Sequence, residues 1–253
     1  MRPDFSAINA YFDKIYILTL PRLTDRIASF TRELEGLNYE IFYGVDKEAV
    51  DFTDLKERGV YDSGAYKDVY KKRAEMSMGM LCCSLGHVRI YESIIFNNYK
   101  RVLILEDDAF PILENLARFA AISEALPVDW EVFYLGYERN ETYGWKQQLK
   151  RTLYKLFPFH SALRLSRQHY ANYYPKNISP LIAQAGFHDC THAYAVTQAG
   201  ARKLLQRQTP VAYNPDNLLA FAIAERQVKG YICRPKLFNQ RTAFVHEMAS
   251  LTA

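Results

Sequence analysis

Cysteine, tryptophan and net charge are scarce in this chain of 253 residues: four Cys, two Trp and a formal charge of +4. Cys82 and Cys83 are adjacent, Cys190 and Cys233 stand far off, and no pair has Cys-x-x-Cys spacing. That excludes a disulfide framework and a zinc knuckle, and it fits a reducing compartment. No stretch approaches the ~20 apolar residues of a membrane span. Met1 to Tyr11 lacks the apolar core of a signal peptide. The expectation is a cytoplasmic protein, with room for peripheral attachment to the inner face of a membrane. Internal repeats and low-complexity tracts are missing too. The balance of 32 Lys+Arg against 28 Asp+Glu is too even to argue for nucleic acid, and no nucleic-acid partner is expected. What is plentiful is aromatic and apolar: 19 Tyr, 15 Phe and 49% hydrophobic residues, ample for a core without staples.

The patterning alternates strand and helix. Lys14 to Leu20 is a short β-branched run, Leu23 to Leu37 has helical spacing with Gly36 near its end, and Tyr39 to Tyr43 is a second strand. Phe52 to Arg73, charged and turn-rich, is expected to be a surface excursion. Ser77 to Asn97 is a helix, Arg101 to Leu105 a buried strand, Pro111 to Leu126 a helix and Trp130 to Leu135 a strand. His192 to Val196 and Tyr231 to Cys233 are further strands. Thr197 to Gln208 and Asn214 to Lys229 are helices. This order predicts one layered α/β domain over residues 1–253 with a central, mostly parallel sheet.

Glu106-Asp107-Asp108 follows the buried strand directly. At ~5 Å and an effective dielectric of 20, each pair of carboxylates costs about 3 kcal/mol. A divalent cation relieves that repulsion, and hard cations such as Mg²⁺ and Mn²⁺ take oxygen ligands shared with phosphates. The C-terminal edge of an open α/β sheet is where ligands bind. Residues two apart in an extended segment point the same way, so Glu106 and Asp108 are expected to face one site. A solvated acidic turn, with Asp107 or Asp108 capping the next helix, is the bland alternative.

These residues carry a resemblance. Arg101-Val-Leu-Ile-Leu-Glu-Asp-Asp-Ala109 resembles the signature of glycosyltransferase family 25, the lipooligosaccharide and collagen galactosyltransferases. Four more segments agree in order: Ile15 to Arg26 with its Asp25-Arg26 pair, Tyr39 to Asp46, Gly79 to His87, and His192 to Leu205 with Pro215-Asp216. Within Gly79 to His87 the family's Glu, second Gly and Ser stand here as Met80, Cys82 and Gly86.

The resemblance implies a GT-A-like, Rossmann-type layered fold and a metal-dependent inverting transfer. Its donor would be a UDP-sugar, with galactose first among the sugars, and its acceptor an oligosaccharide or glycolipid in lipopolysaccharide-type glycan synthesis. Mn²⁺ or Mg²⁺ would neutralise the departing diphosphate, with Asp108, Glu106 and His246 as metal ligands. Arg26, Glu106 and Asp107 would serve the nucleotide side, since guanidinium matches phosphate geometry. Asp216 matches the family's Asp and is the candidate base, with Asp189 second; capping the following helix is the ordinary role for an Asp after Pro. A catalytically silent glycan-binding module and a metal phosphohydrolase are the competing classes.

Residues 137–187 form a basic aromatic insertion in this reading. From Tyr137 to Asn177 there are eight Lys or Arg and two Glu. Within residues 145–157, Trp145, Leu149, Leu153 and Phe157 recur every four residues, with Lys146, Lys150, Arg151 and Lys155 among them. A basic amphipathic helix with aromatic anchors fits an anionic membrane surface; a helix packed on the domain is the alternative.

Overall fold

The computed structural model describes residues 3–71, 75–141, 144–156 and 162–241. Ten strands fall in chain order: β1 Lys14–Thr19, β2 Glu40–Tyr43, β3 Arg101–Glu106, β4 Ala109–Pro111, β5 Val132–Glu138, β6 Lys176–Asn177, β7 Ile182–Gln184, β8 Asp189–Thr197, β9 Gly230–Cys233 and β10 Phe238–Gln240. Eight of them make one mixed sheet in the order β2-β1-β3-β8-β5-β9-β7-β6, while β10 and β4 pair antiparallel as a small ribbon. β1 runs parallel to β2 and β3, and β5 to β9; β8 and β7 are the reversed strands. This is the α/β, Rossmann-type layering that the alternating pattern predicts.

Both faces of the sheet are covered, so its central strands read as continuous apolar runs. Alternation then sorts their side chains. Ile15 and Ile17 of β1, Leu103 and Leu105 of β3, and Phe133 and Leu135 of β5 enter one core with Phe30, Phe119 and Ile122. Tyr16, Val102, Ile104, Val132 and Tyr134 enter the other, against the Met78–Phe96 helix. Helices Ser6–Tyr11, Thr24–Glu33 and Phe119–Ala125 cover the first face; Met78–Phe96, Gln198–Arg207 and Pro215–Ala224 cover the second. Ser77 and Thr197 cap their helices through side-chain oxygens that accept from Met80 N and Gly200 N.

Three expectations change. The Phe52 to Arg73 stretch is not a surface excursion. Helices Phe52–Glu57 and Ser63–Val69 bury Leu55, Tyr66 and Val69 in a third apolar cluster with Tyr61, Tyr70 and Phe221. Pro111 to Leu126 is not one helix. Pro111 closes β4, and only Leu113–Leu116 and Phe119–Ala125 are helical. The last long helix stops at Ala224, before Arg226 with its positive φ of 62°. Within residues 137–187, helices Trp145–Leu156 and Arg167–Ala171 precede β6 and β7, which extend the main sheet beyond β9.

Candidate active site

The alternation that sorts the core also sorts the acidic triplet. Glu106 continues the Val102-Ile104 series and turns toward the Met78–Phe96 helix. There Glu106 Oε1 lies 3.3 Å from His87 Nε2 and accepts a 2.5 Å hydrogen bond from Thr191 Oγ1. Asp107 goes to the Thr24–Glu33 helix, where Arg26 Nη1 donates to Oδ1 at 2.8 Å, and Thr19 Oγ1, at the end of β1, donates to Oδ2 at 2.6 Å. β3 has ended by then, so Asp108 does not follow Glu106 in simple register. Gln240 Nε2 of β10 donates to its Oδ2 at 2.7 Å. Asp108 is wholly buried, and its Oδ1 has no hydrogen-bond partner among the described residues.

The charges respond to this division. Burial, reinforced by nearby Glu106, pushes the Asp108 carboxyl up to about 7. Burial also acts to raise Glu106, but His87 and Thr191 outweigh it and hold that carboxyl below its usual range. Glu106 is thus the charged member and Asp108 the one drawn toward neutrality.

Two hollows flank the first turns of the Met78–Phe96 helix. One, of about 120 Å³, has Leu18, Leu23, Arg26, Cys83, Glu106 and Asp107 in its wall. The other, of about 410 Å³, has Tyr70, Tyr154, Tyr173, Phe187, Asp189 and Asp216. The second falls in the ~300–1,000 Å³ range of small-molecule pockets, and the first is a smaller cleft. In the second, Asp216 stands one residue after the Pro215 that opens its helix, and Asn217 N donates to its Oδ1 at 2.8 Å. Burial and the neighbouring Asp189 push Asp216 up to about 6. Asp189 itself is raised by burial and restrained by Arg139, whose Nη1 lies 2.8 Å from its Oδ2.

The sequence candidates therefore fall into two groups. Arg26, Glu106 and Asp107 share the first hollow, Asp189 and Asp216 the second, and Asp108 lies buried beside Glu106. His246 lies outside the described residues. Arg26 is not an exposed helix cation: it is 3% exposed and bound to Asp107. Asp107 has both oxygens engaged, which makes it an anchor for Arg26 rather than an open ligand. Thr19, Thr191 and Gln240 were not found from sequence. Thr19 follows Leu18, which pairs with Glu106 across β1 and β3, so strand pairing would have exposed it; nothing local signals Thr191 or Gln240.

The family model of Glycosyltransferase family 25 (LPS biosynthesis protein) matches residues 12–219. The chain belongs to glycosyltransferase family 25. A glycosyltransferase 25 family member of Anopheles gambiae is 28% identical over 205 residues, 77% of this chain and 28% of that protein. Procollagen galactosyltransferase 2 of Homo sapiens is 26% identical over 133 residues, 51% of this chain and 21% of its own. Inactive glycosyltransferase 25 family member 3 of Homo sapiens is 27% identical over 215 residues, 82% of this chain and 31% of its own. The chain thus spans less than a third of the length of these curated relatives.

The three departures from the family 25 pattern all lie on one helix. Met80 lines the second hollow and Cys82 the first. Gly86 lets the helix approach β1, where a Cβ would stand 3.3 Å from Leu18 Cδ1.

The position of Asp108 predicts a pH effect on stability. Its folded pKa is raised, so the folded state holds a proton that the unfolded chain releases near pH 4. Stability is then lost as pH rises through about 7. In chelator, the stability of wild type relative to Asp108→Asn should fall by on the order of 2–4 kcal/mol between pH 5 and 8. The comparison cancels the buried His188 and His192, which titrate in the opposite sense; parallel profiles would contradict the buried, cation-free carboxylate.

Proposed function

We propose that this chain is a metal-dependent inverting glycosyltransferase that moves a sugar, galactose first among the candidates, from a UDP-sugar to a glycan or glycolipid acceptor in lipopolysaccharide-type synthesis. The single observation that carries the reading is the pairing of two hollows around one carboxylate cluster. The first has Arg26 and Glu106 in its wall; the second offers Asp216, whose pKa feels both Asp189 and Glu106. The galactosyl choice rests on the name of a relative, procollagen galactosyltransferase 2.

A hard cation suits the residues present. Asp108 Oδ1 is buried and unpartnered among the described residues, and Glu106 beside it is charged. Asp108 and Glu106 would hold Mn²⁺ or Mg²⁺, which when bound neutralises a diphosphate leaving group. Arg26, fixed by Asp107, presents a buried positive charge at the first hollow. In the second hollow Asp216 takes the proton of the acceptor hydroxyl. The new bond forms between that oxygen and the anomeric carbon as the bond to the diphosphate breaks, so the sugar inverts. Asp189 is tied to Arg139 and is the poorer base; its charge raises Asp216.

Transfer assays with UDP-galactose test this directly. Turnover should appear only with a divalent cation; phosphate release without sugar transfer would favour a hydrolase, and glycan binding without turnover a silent module. Asp216→Asn should keep donor affinity and lose about 10²–10⁴ in kcat, because an amide cannot accept the proton. The wild-type rate should fall as pH drops through about 6, where Asp216 protonates. Asp189→Asn should move that limb to lower pH and keep the rate. Full turnover in Asp216→Asn would place the base elsewhere.

A membrane-side acceptor is part of the proposal. Supporting it is the exposed stripe of the Trp145–Leu156 helix: Trp145 is 73% exposed, Leu149 56% and Leu153 47%, while Tyr154 on its inner side lines the second hollow. Phe157, the fourth residue of the stripe, lies outside the described residues. Among the described residues no helix is long and apolar enough to cross a membrane. In this proposal the attachment is interfacial, through the basic stripe, from the cytoplasmic side. Changing Lys146, Lys150, Arg151 and Lys155 together to Gln should weaken binding to anionic liposomes by on the order of 4 kcal/mol. Activity on a soluble acceptor should persist. Wild type that ignores such liposomes at low salt would contradict the surface role.

A further inference from the structure

One cluster beside the carboxylates has a different chemical character. Cys83 and His87 are four residues apart on the Met78–Phe96 helix, so both side chains lie on one face. Glu106 meets them from the end of β3. The thiol sulfur, an imidazole nitrogen and a carboxylate oxygen all lie within 4.8 Å of one another.

His87 gives this cluster direction. The residue is 1% exposed. Its Nδ1 shares a 2.8 Å hydrogen bond with the Tyr194 hydroxyl, which shares another of 2.9 Å with Tyr91. The ring is thereby fixed with Nε2 toward Glu106, and Nε2 is buried with no hydrogen-bond partner among the described residues, its 3.3 Å approach to Glu106 falling outside good geometry. A second-sphere group on the far nitrogen is the usual way a protein orients a metal-binding imidazole.

We propose that Cys83 Sγ, His87 Nε2 and the Glu106 carboxylate form a binding site for a borderline-soft divalent cation of the zinc class. Sulfur and imidazole donors select such a cation over Mg²⁺ or Mn²⁺, and the affinity order of divalent metals runs the same way. Zinc binds sulfur, nitrogen and carboxylate oxygen at about 2.0–2.3 Å, so it would draw the ligand atoms to within roughly 4 Å of one another. From 4.8 Å that is a small swing of side chains. As the S–metal bond forms, the Cys83 proton passes to solvent. Three protein ligands leave a fourth position open, and Cys83 and Glu106 both line the first hollow. Loading this site would take Glu106 from the hard cation, so zinc would inhibit the transfer proposed above; the binding itself does not depend on that activity.

Cobalt(II) titration of the purified full chain reads the site without any turnover. Wild type should bind one equivalent with a near-ultraviolet sulfur-to-cobalt charge-transfer band, and zinc should bleach it. Cys83→Ser should lose the band. Cys82→Ser, altering the adjacent thiol, should keep it. Tyr194→Phe should weaken binding about 10–100-fold by freeing the imidazole. Absorption-edge spectroscopy of zinc-loaded wild type needs no variant and should show one sulfur neighbour. A wild type with no charge-transfer band, a band that survives in folded Cys83→Ser, or a zinc shell of nitrogen and oxygen alone would overturn the proposal. Sulfur ligation without sugar transfer would leave this site standing and remove the transferase reading; sugar transfer without sulfur ligation would do the reverse.

Discussion

Three successive carboxylates at the buried end of β3 repel one another, and the elements around them divide the charge. Glu106 is drawn to His87 and Thr191, Asp107 to Arg26 and Thr19, and Asp108 to Gln240. Each partner comes from a different part of the chain, so the sheet order has to be what it is. β1 and β8 flank β3, the helices on either face supply Arg26 and His87, and β10 closes behind Asp108. Truncating one partner of a buried ion pair such as Arg26–Asp107 typically costs about 3–5 kcal/mol, so these contacts shape the site as well as the fold.

The division leaves unequal charges. Glu106 is held ionised and Asp108 is pushed toward neutrality. Asp216, across the first turns of the same helix, is lifted into the range where a carboxylate exchanges protons near neutral pH. Carboxylates with separate environments can take separate tasks. A hard cation would suit Asp108 and Glu106, and a proton would suit Asp216.

Much of this was legible in the sequence because the strong signals are local. Val-Leu-Ile-Leu before Glu106 reads as a buried strand, and Ser77 and Thr197 announce their helices. The family 25 segments place Asp216 and the triplet in order. What was not legible depends on pairing across long separations. Gln240 reaches Asp108 over 132 residues and Thr191 reaches Glu106 over 85, and neither leaves a periodic trace. The Phe52 to Arg73 segment misled because its helices are short and bury a few residues each, too few to set up a clear period. The Asp107–Arg26 pair is half visible: both residues stand out, but their attraction spans 81 residues and no local spacing shows it.

The central claim is that the first hollow takes a nucleotide diphosphate through a cation held at Asp108 and Glu106. Calorimetry of UDP with the full chain, in Mn²⁺ and again in chelator, addresses it without an acceptor or a sugar. The account predicts saturable binding with Mn²⁺, a collapse of affinity in chelator, and the same collapse in Asp108→Ala with the fold intact. UDP affinity unchanged by chelator and by Asp108→Ala would contradict it.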